Sequence, residues 1–213
     1  VLSAALLGFL LGIRHAADPD HVAAIAALVA RHRRVGFAAR IGAAWGLGHS
    51  LTILAVGGVL VALRIAVAPR WTFGAELLVA AILVVLGIAN LRAFGRPREA
   101  HPRAETPHVH GGRTALRAFG VGIAHGLGGS AAVAILALAA MPTTQTAVAY
   151  LAVFGIGTVG GMVVLSLALG LPLLLAHRAP TITRWVLAGS GVVSIGAGLY
   201  LAYAVGTSAF TSV

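Results

Sequence analysis

The chain has 213 residues; 59% are hydrophobic and only 9% are charged, against roughly 25% charged in soluble domains. That excludes a disordered chain and leaves too little polar surface for a water-soluble globule. All 15 basic residues are Arg, five residues are acidic, the formal charge is +10 and there is no Cys, so disulfides and thiolate metal sites are excluded.

A helical span takes about 20 apolar residues, and six apolar runs of that order follow one another. The expected fold is all-α and polytopic in a membrane, because the alternation of an outer-membrane barrel is absent. The first run, about Leu2–Ala30, carries Arg14-His15-Ala16-Ala17-Asp18-Pro19-Asp20-His21 at its centre. Ionisable groups inside a bilayer are costly and mark functional sites. On a regular helix His15 lies about 140° from Asp20 and about 120° from His21, at 100° per residue. Pro19 changes this, because it lacks an N–H and strips the His15 carbonyl of its helical partner. Asp18-Pro19 also reads as an N-cap and first helical residue. A helix break here turns both imidazoles toward one cavity. Imidazole nitrogen with carboxylate oxygen suits a borderline divalent ion such as Ni2+, Co2+ or Zn2+. Asp18 has two readings at this stage, a metal ligand or a cap and partner of Arg14. Arg14 itself cannot ligate a cation, so it balances the charge of the Asp pair. Val1 is expected to be a misread initiator or a trimmed terminus. The first run is not expected to be a cleavable leader, since it holds the densest polar motif.

Arg31, Arg33, Arg34 and Arg40 follow. The second run, about Phe37–Leu63, contains Gly46-Leu47-Gly48-His49-Ser50, with His49 inside a span. The third covers about Trp71–Leu91. A polar segment from 93 to 112, with Pro97, Pro102, Pro107, His101, His108 and His110, reads as a cytoplasmic linker; its His residues are solvated or bind metal loosely. The fourth run, about Thr114–Met141, holds His125-Gly126-Leu127-Gly128-Gly129-Ser130, and the expectation is a second broken helix. The fifth and sixth cover about Thr146–Ala176 and Ile182–Val205. Three loops on one side carry 12 of the 15 Arg, against Arg64 and Arg70 opposite. The positive-inside rule makes the Arg-rich loops cytoplasmic and puts both termini outside. This accounts for the basicity without a nucleic-acid partner. Trp71 and Trp185 sit at span ends as interfacial anchors.

The chain repeats itself. Gly8–Leu28 set against Ala118–Leu138, an offset of 110, gives eight identities in 21 positions, including His15 with His125. At an offset of 109, Trp45-Gly46-Leu47-Gly48-His49 faces Phe154-Gly155-Ile156-Gly157-Thr158. The expected organisation is two three-helix repeats, 1–92 and 113–213. An odd number of spans per half inverts the second, as in transporters whose sites lie where broken helices meet. The candidate metal residues are His15, Asp20, His21, His49, Asp18 and His125.

These motifs resemble the nickel/cobalt transporter superfamily (NiCoT or NicO), above all its short, urease-accessory-like nickel permeases. Arg14-His15-Ala16-Ala17-Asp18-Pro19-Asp20-His21 is similar to the family's H-x4-D-H helix, and Leu47-Gly48-His49-Ser50 to its second motif. His125-Gly126-Leu127-Gly128-Gly129-Ser130-Ala131-Ala132 is the third segment of likeness. The resemblance implies secondary transport of Ni2+ or Co2+ across a bacterial cytoplasmic (inner) membrane, with metal residues His15, Asp20 and His21 supported by His49. The ion is then a substrate rather than a cofactor, and the protein is not an enzyme. Longer members have about eight spans and efflux members a long His-rich loop; this chain has six runs and three loop His. Uptake is therefore the expected direction. Efflux, a membrane subunit of an ATP-driven importer, and an intramembrane serine peptidase using Ser130 with His49 or His125 are the rivals. A homo-oligomer is left open.

Overall fold

The structure is a computed structural model and describes residues 2–30, 35–64, 68–95, 110–175 and 180–211. The described residues are helical apart from short turns. In chain order they are α1 (Leu2–Ala16), α2 (Pro19–Val29), α3 (Val35–Thr52), a π-helical turn (Ile53–Gly57), α4 (Gly58–Leu63), α5 (Pro69–Gly95), α6 (His110–Ala140), α7 (Thr144–Leu175) and α8 (Pro180–Thr211). Four helical stretches are long and apolar enough to cross a membrane: Val35–Leu63, Arg70–Gly95, Thr144–Pro172 and Arg184–Ser208. Large apolar side chains such as Val85, Leu116, Ile156 and Leu199 face outward, which suits lipid rather than water. The Arg residues whose exposure is described, including Arg14, Arg40, Arg64, Arg70, Arg92, Arg117 and Arg184, are all exposed. Trp71 and Trp185 are exposed at helix ends, as interfacial anchors are. Arg31, Arg33, Arg34, Arg96, Arg98, Arg103, Arg178, His101 and His108 lie outside the described residues, as does most of the 93–112 linker.

The first apolar run breaks where Asp18-Pro19 requires. α1 closes on bonds from Ala17 N–H to the Arg14 carbonyl (2.9 Å) and from Asp18 N–H to the His15 carbonyl (3.1 Å). Asp18 then takes an extended backbone, φ −59° and ψ 144°, with Pro19 opening α2. The half-helices are about 22 and 16 Å long at 1.5 Å per residue.

The expected break in the fourth run does not occur. α6 is continuous from His110 to Ala140. No proline interrupts it, so every residue keeps an N–H for the ladder. Its glycines serve helix contact instead: a Cβ on Gly126 would meet Thr52 Cβ at 2.8 Å and the His49 carbonyl oxygen at 2.6 Å. A departure from α-geometry lies in the second run, at the π turn. Just before it, Thr52 Oγ1 donates to the Gly48 carbonyl at 2.9 Å, a back-bond of the kind that bends helices.

Glycines govern the packing. The broadest interfaces join α5 to α8, α3 to α6, α1 to α7 and α3 to α7. A Cβ on Gly12 of α1 would strike the Phe154 carbonyl and lie 2.8 Å from Thr158 N on α7. One on Gly122 of α6 would strike the Trp45 carbonyl and lie 3.0 Å from His49 N on α3. Gly48 likewise abuts the Phe119 carbonyl, and Gly157 the Phe9 carbonyl. Small residues let apolar helices approach to backbone contact, where dispersion holds them without a hydrophobic drive. Polar bonds add to this where α5 meets α8 and α2. Ser194 Oγ donates to the Leu83 carbonyl at 2.7 Å, and buried Asn90 Nδ2 donates to the α2 carbonyl of Ala27 at 2.9 Å. Inside the bundle, Ala16, Ala24, Ile25, Ile41, Trp45, Leu83 and Met162 form the larger apolar cluster.

Candidate metal centre

The break delivers His15 on the last turn of α1 and His21 on the first turn of α2. The carbonyl that Pro19 deprives of its helical donor finds two others. His15 O accepts the Asp18 N–H and also the Nδ1–H of His21, at 2.8 Å. A carbonyl can only accept, so His21 carries its proton on Nδ1 and presents the lone pair of Nε2. Asp18 occupies the N-cap position without a side-chain capping bond. Its Oδ2 instead lies 2.7 Å from His15 Nδ1. This carboxylate–imidazole pair leaves the His15 Nε2 lone pair free and fixes the ring, the usual support for a metal-ligating His. Neither the capping bond nor an Arg14 pairing is formed: Arg14 is exposed and the ion-pair partner of Asp18 is His15.

α3 and α6 bring the other two imidazoles. His49 is fully buried and His125 is 2% exposed. His15 Nε2 and His49 Nε2 are 3.1 Å apart. Two nitrogens bound to one ion at about 2.0–2.1 Å would lie about 2.8–3.0 Å apart at an octahedral angle and about 3.3–3.4 Å at a tetrahedral one, so this spacing suits a shared cation. Asp20 Oδ2 lies 3.5 Å from His125 Nε2. The ligand atoms of His15, His21 and His49 lie within 4.8 Å of one another, and so do those of Asp20, His21 and His125. Five of the six sequence-predicted residues, His15, Asp20, His21, His49 and His125, thus meet at one place, and Asp18 stands behind His15 on its Nδ1. Ser130 lies on α6, and its side chain is outside the described residues.

Two aromatic residues that the motifs did not single out complete the surround. The Trp45 ring stands edge-on to His21 and His125, with centroids at 5.6 and 5.2 Å. The Phe154 ring is 5.3 Å from His15. The signal for both was present, since Trp45 faces Phe154 in the repeat register and His125 faces His15. Chemically the cluster is four imidazoles and two carboxylates in an apolar bundle. Neutral imidazoles with two carboxylates carry two negative charges, which a single dication cancels.

Comparison with known proteins agrees with this chemistry. The family model NicO, described as a high-affinity nickel-transport protein, matches residues 1–106. The chain is similar to the urease accessory protein UreH of Bacillus sp. (strain TB-90), 31% identical over 98% of this chain and 94% of that protein. It is also similar to two Arabidopsis thaliana proteins, chloroplast protein FOR GROWTH AND FERTILITY 2 (30% identical) and 1 (29% identical). Those matches cover 93% of this chain but 56% and 58% of the plant proteins. No solved structure matches the chain. The nickel-transport model over the first half and the UreH likeness over nearly all of it agree with the helical architecture: the chain belongs to the NicO family of nickel-transport membrane proteins.

Proposed function

We propose that the chain takes up Ni2+ or Co2+ across a bacterial cytoplasmic membrane by secondary transport, through the His/Asp cluster at the α1–α2 break. His15, Asp20 and His21 hold the ion, His49 and His125 complete or gate the site, and Asp18 orients His15. The observation that carries the reading is the convergence of these six side chains from four helices on one break. The six apolar runs act as six spans in two inverted repeats, 1–92 and 113–213, joined by the 93–112 linker. The glycine contacts support this: under the 109–110 offset, Gly12 on Phe154 and Thr158 becomes Gly122 on Trp45 and His49. Gly48 on Phe119 likewise becomes Gly157 on Phe9. The two halves rock about the site to open it alternately to either face. With the Arg-rich loops cytoplasmic and both termini outside, the membrane potential pulls the ion inward. At about 2.3 kcal/mol per charge per 100 mV, a dication gains about 4.6 kcal/mol, so uptake needs no ATP. Proteoliposomes offered Ni2+, Co2+, Zn2+ and Mn2+ in competition test the proposal. Inward accumulation of Ni2+ or Co2+, abolished by His21→Ala, is expected. Normal accumulation by that variant would sink the site, and metal sensitivity of a deletion strain, rather than metal deficiency, would reverse the direction.

A further inference from the structure

His21 belongs to both donor triads, one made with His15 and His49 and one with Asp20 and His125. Its Nδ1 is committed to the His15 carbonyl at 2.8 Å, so Nε2 is its single free lone pair. One lone pair holds one ion at a time. The two triads therefore share a ligand that cannot serve both together.

The far members of the two triads keep ring nitrogens without protein partners, both on His125 and one on His49, whose Nε2 meets His15 Nε2 at 3.1 Å. His125 is 2% exposed, yet neither of its ring nitrogens has a hydrogen-bond partner, and its nearest acidic neighbour is Asp20 at 3.5 Å. His49 is fully buried, and its Nδ1 has no partner. A buried ring nitrogen without a partner carries a desolvation cost, which coordination of a cation offsets. His125 and His49 stand on different helices, and each belongs to a different one of the two donor groups that share His21.

We propose that the ion passes through two alternative coordination positions that share His21 as a pivot. One is all-imidazole, His15/His21/His49; the other is mixed, Asp20/His21/His125. They are occupied in turn, never together, since two dications a few ångströms apart repel strongly. The positions differ in chemistry. Three neutral nitrogens favour borderline ions such as Ni2+ and Co2+, whereas Asp20 adds a charge and a hard oxygen. They differ in access as well: the Asp20 side chain is 36% exposed and that of His15 18%, so the mixed position is the more open of the two. An ion held in two adjacent sites of moderate strength enters and leaves faster than one held in a single deep site. The inference rests on the reading of this cluster as the metal path and adds the division of that path.

The test uses the full-length chain in detergent with Co2+, whose d–d spectrum reports ligand number and type. Wild type, His49→Ala, His125→Ala and the double variant are titrated, and uptake is measured in liposomes. Each single variant keeps one position intact. It is expected to bind one Co2+ per chain with a loss of less than about tenfold, while the double variant loses at least about a hundredfold, the upper end of the range for losing even an outer-shell support. The two single variants should also show different Co2+ spectra, and both should lose most of their uptake. Single losses as large as the double's mean one composite shell and overturn the proposal. Two Co2+ bound per wild-type chain would also overturn it, by making the centre binuclear. His49→Gln and His125→Gln, which keep volume and polarity, give the same reading if the Ala variants do not fold. Wild-type uptake by His21→Ala would sink the metal path itself, an outcome separate from either of these.

Discussion

Gly12→Ala tests whether backbone contact between α1 and α7 sets the geometry of the metal cluster. Gly12 lies three residues before His15 and on the same helix face. Its new Cβ would strike the Phe154 carbonyl and sit 2.8 Å from Thr158 N. Both are backbone atoms, so no rotamer change relieves the clash. Carbon contacts relax to about 3.5 Å, so α1 must retreat from α7 by roughly 1 Å. Overpacking of this kind costs about 1–3 kcal/mol, and each 1 kcal/mol lowers Tm by about 2–4 °C in a chain of this size. The same retreat pulls His15 off its 3.1 Å approach to His49. Misplacement by 1 Å costs reacting groups up to about a hundredfold, so uptake should fall at least about tenfold. Gly122→Ala, against Trp45 and His49, should behave alike. Gly120→Ala is the control, since nothing lies within 4 Å of its Cβ; it should hold or gain about 0.5–1 kcal/mol from helix propensity. Thermal unfolding in detergent and Ni2+ uptake in liposomes are the assays. Unchanged Tm and uptake in Gly12→Ala, or equal damage from Gly120→Ala, would refute the reasoning.

Asp18→Ala removes the acceptor of His15 Nδ1–H, and nickel affinity by titration calorimetry should fall about 10–100-fold; undiminished affinity would remove Asp18 from the site. Because a protonated imidazole cannot ligate, protons compete with the metal for the cluster, so uptake should decline as the medium is acidified, and uptake that stays constant down to the pH of acid unfolding would contradict imidazole ligation. Asn90→Leu leaves the Ala27 carbonyl without its Asn90 donor, and should cost about 1–3 kcal/mol, read as a lower Tm; no change would show that the α2–α5 bond carries no stability.

The break in the first run and the gathering of His15, Asp18, Asp20 and His21 were legible because proline acts locally: a missing N–H frees a carbonyl whatever surrounds it. The fourth run misled for the opposite reason. Gly126, Gly128 and Gly129 permit a break but equally permit a neighbour to approach, and sequence alone does not say which. The α3 backbone around His49 and Thr52 decided it. The π turn at Ile53–Gly57 left no signal, since Ile-Leu-Ala-Val-Gly is an ordinary apolar stretch and the deviation comes from side-chain bonding at Thr52 and from packing. His49 and His125 were visible as ionisable groups in apolar runs. Their meeting around His21 was not, because it depends on helix contacts between residues more than 70 positions apart. Trp45 and Phe154 were hidden for want of charge, although the repeat register paired them.

The glycine contacts also have an entropic side. Where helices meet through side chains, each contact freezes rotamers, at up to about 1.5–2 kcal/mol for long ones. Where Gly12 meets the Phe154 carbonyl and Gly122 the Trp45 carbonyl, there are no rotamers to freeze. The frame around the ion is thus joined at little cost in conformational entropy.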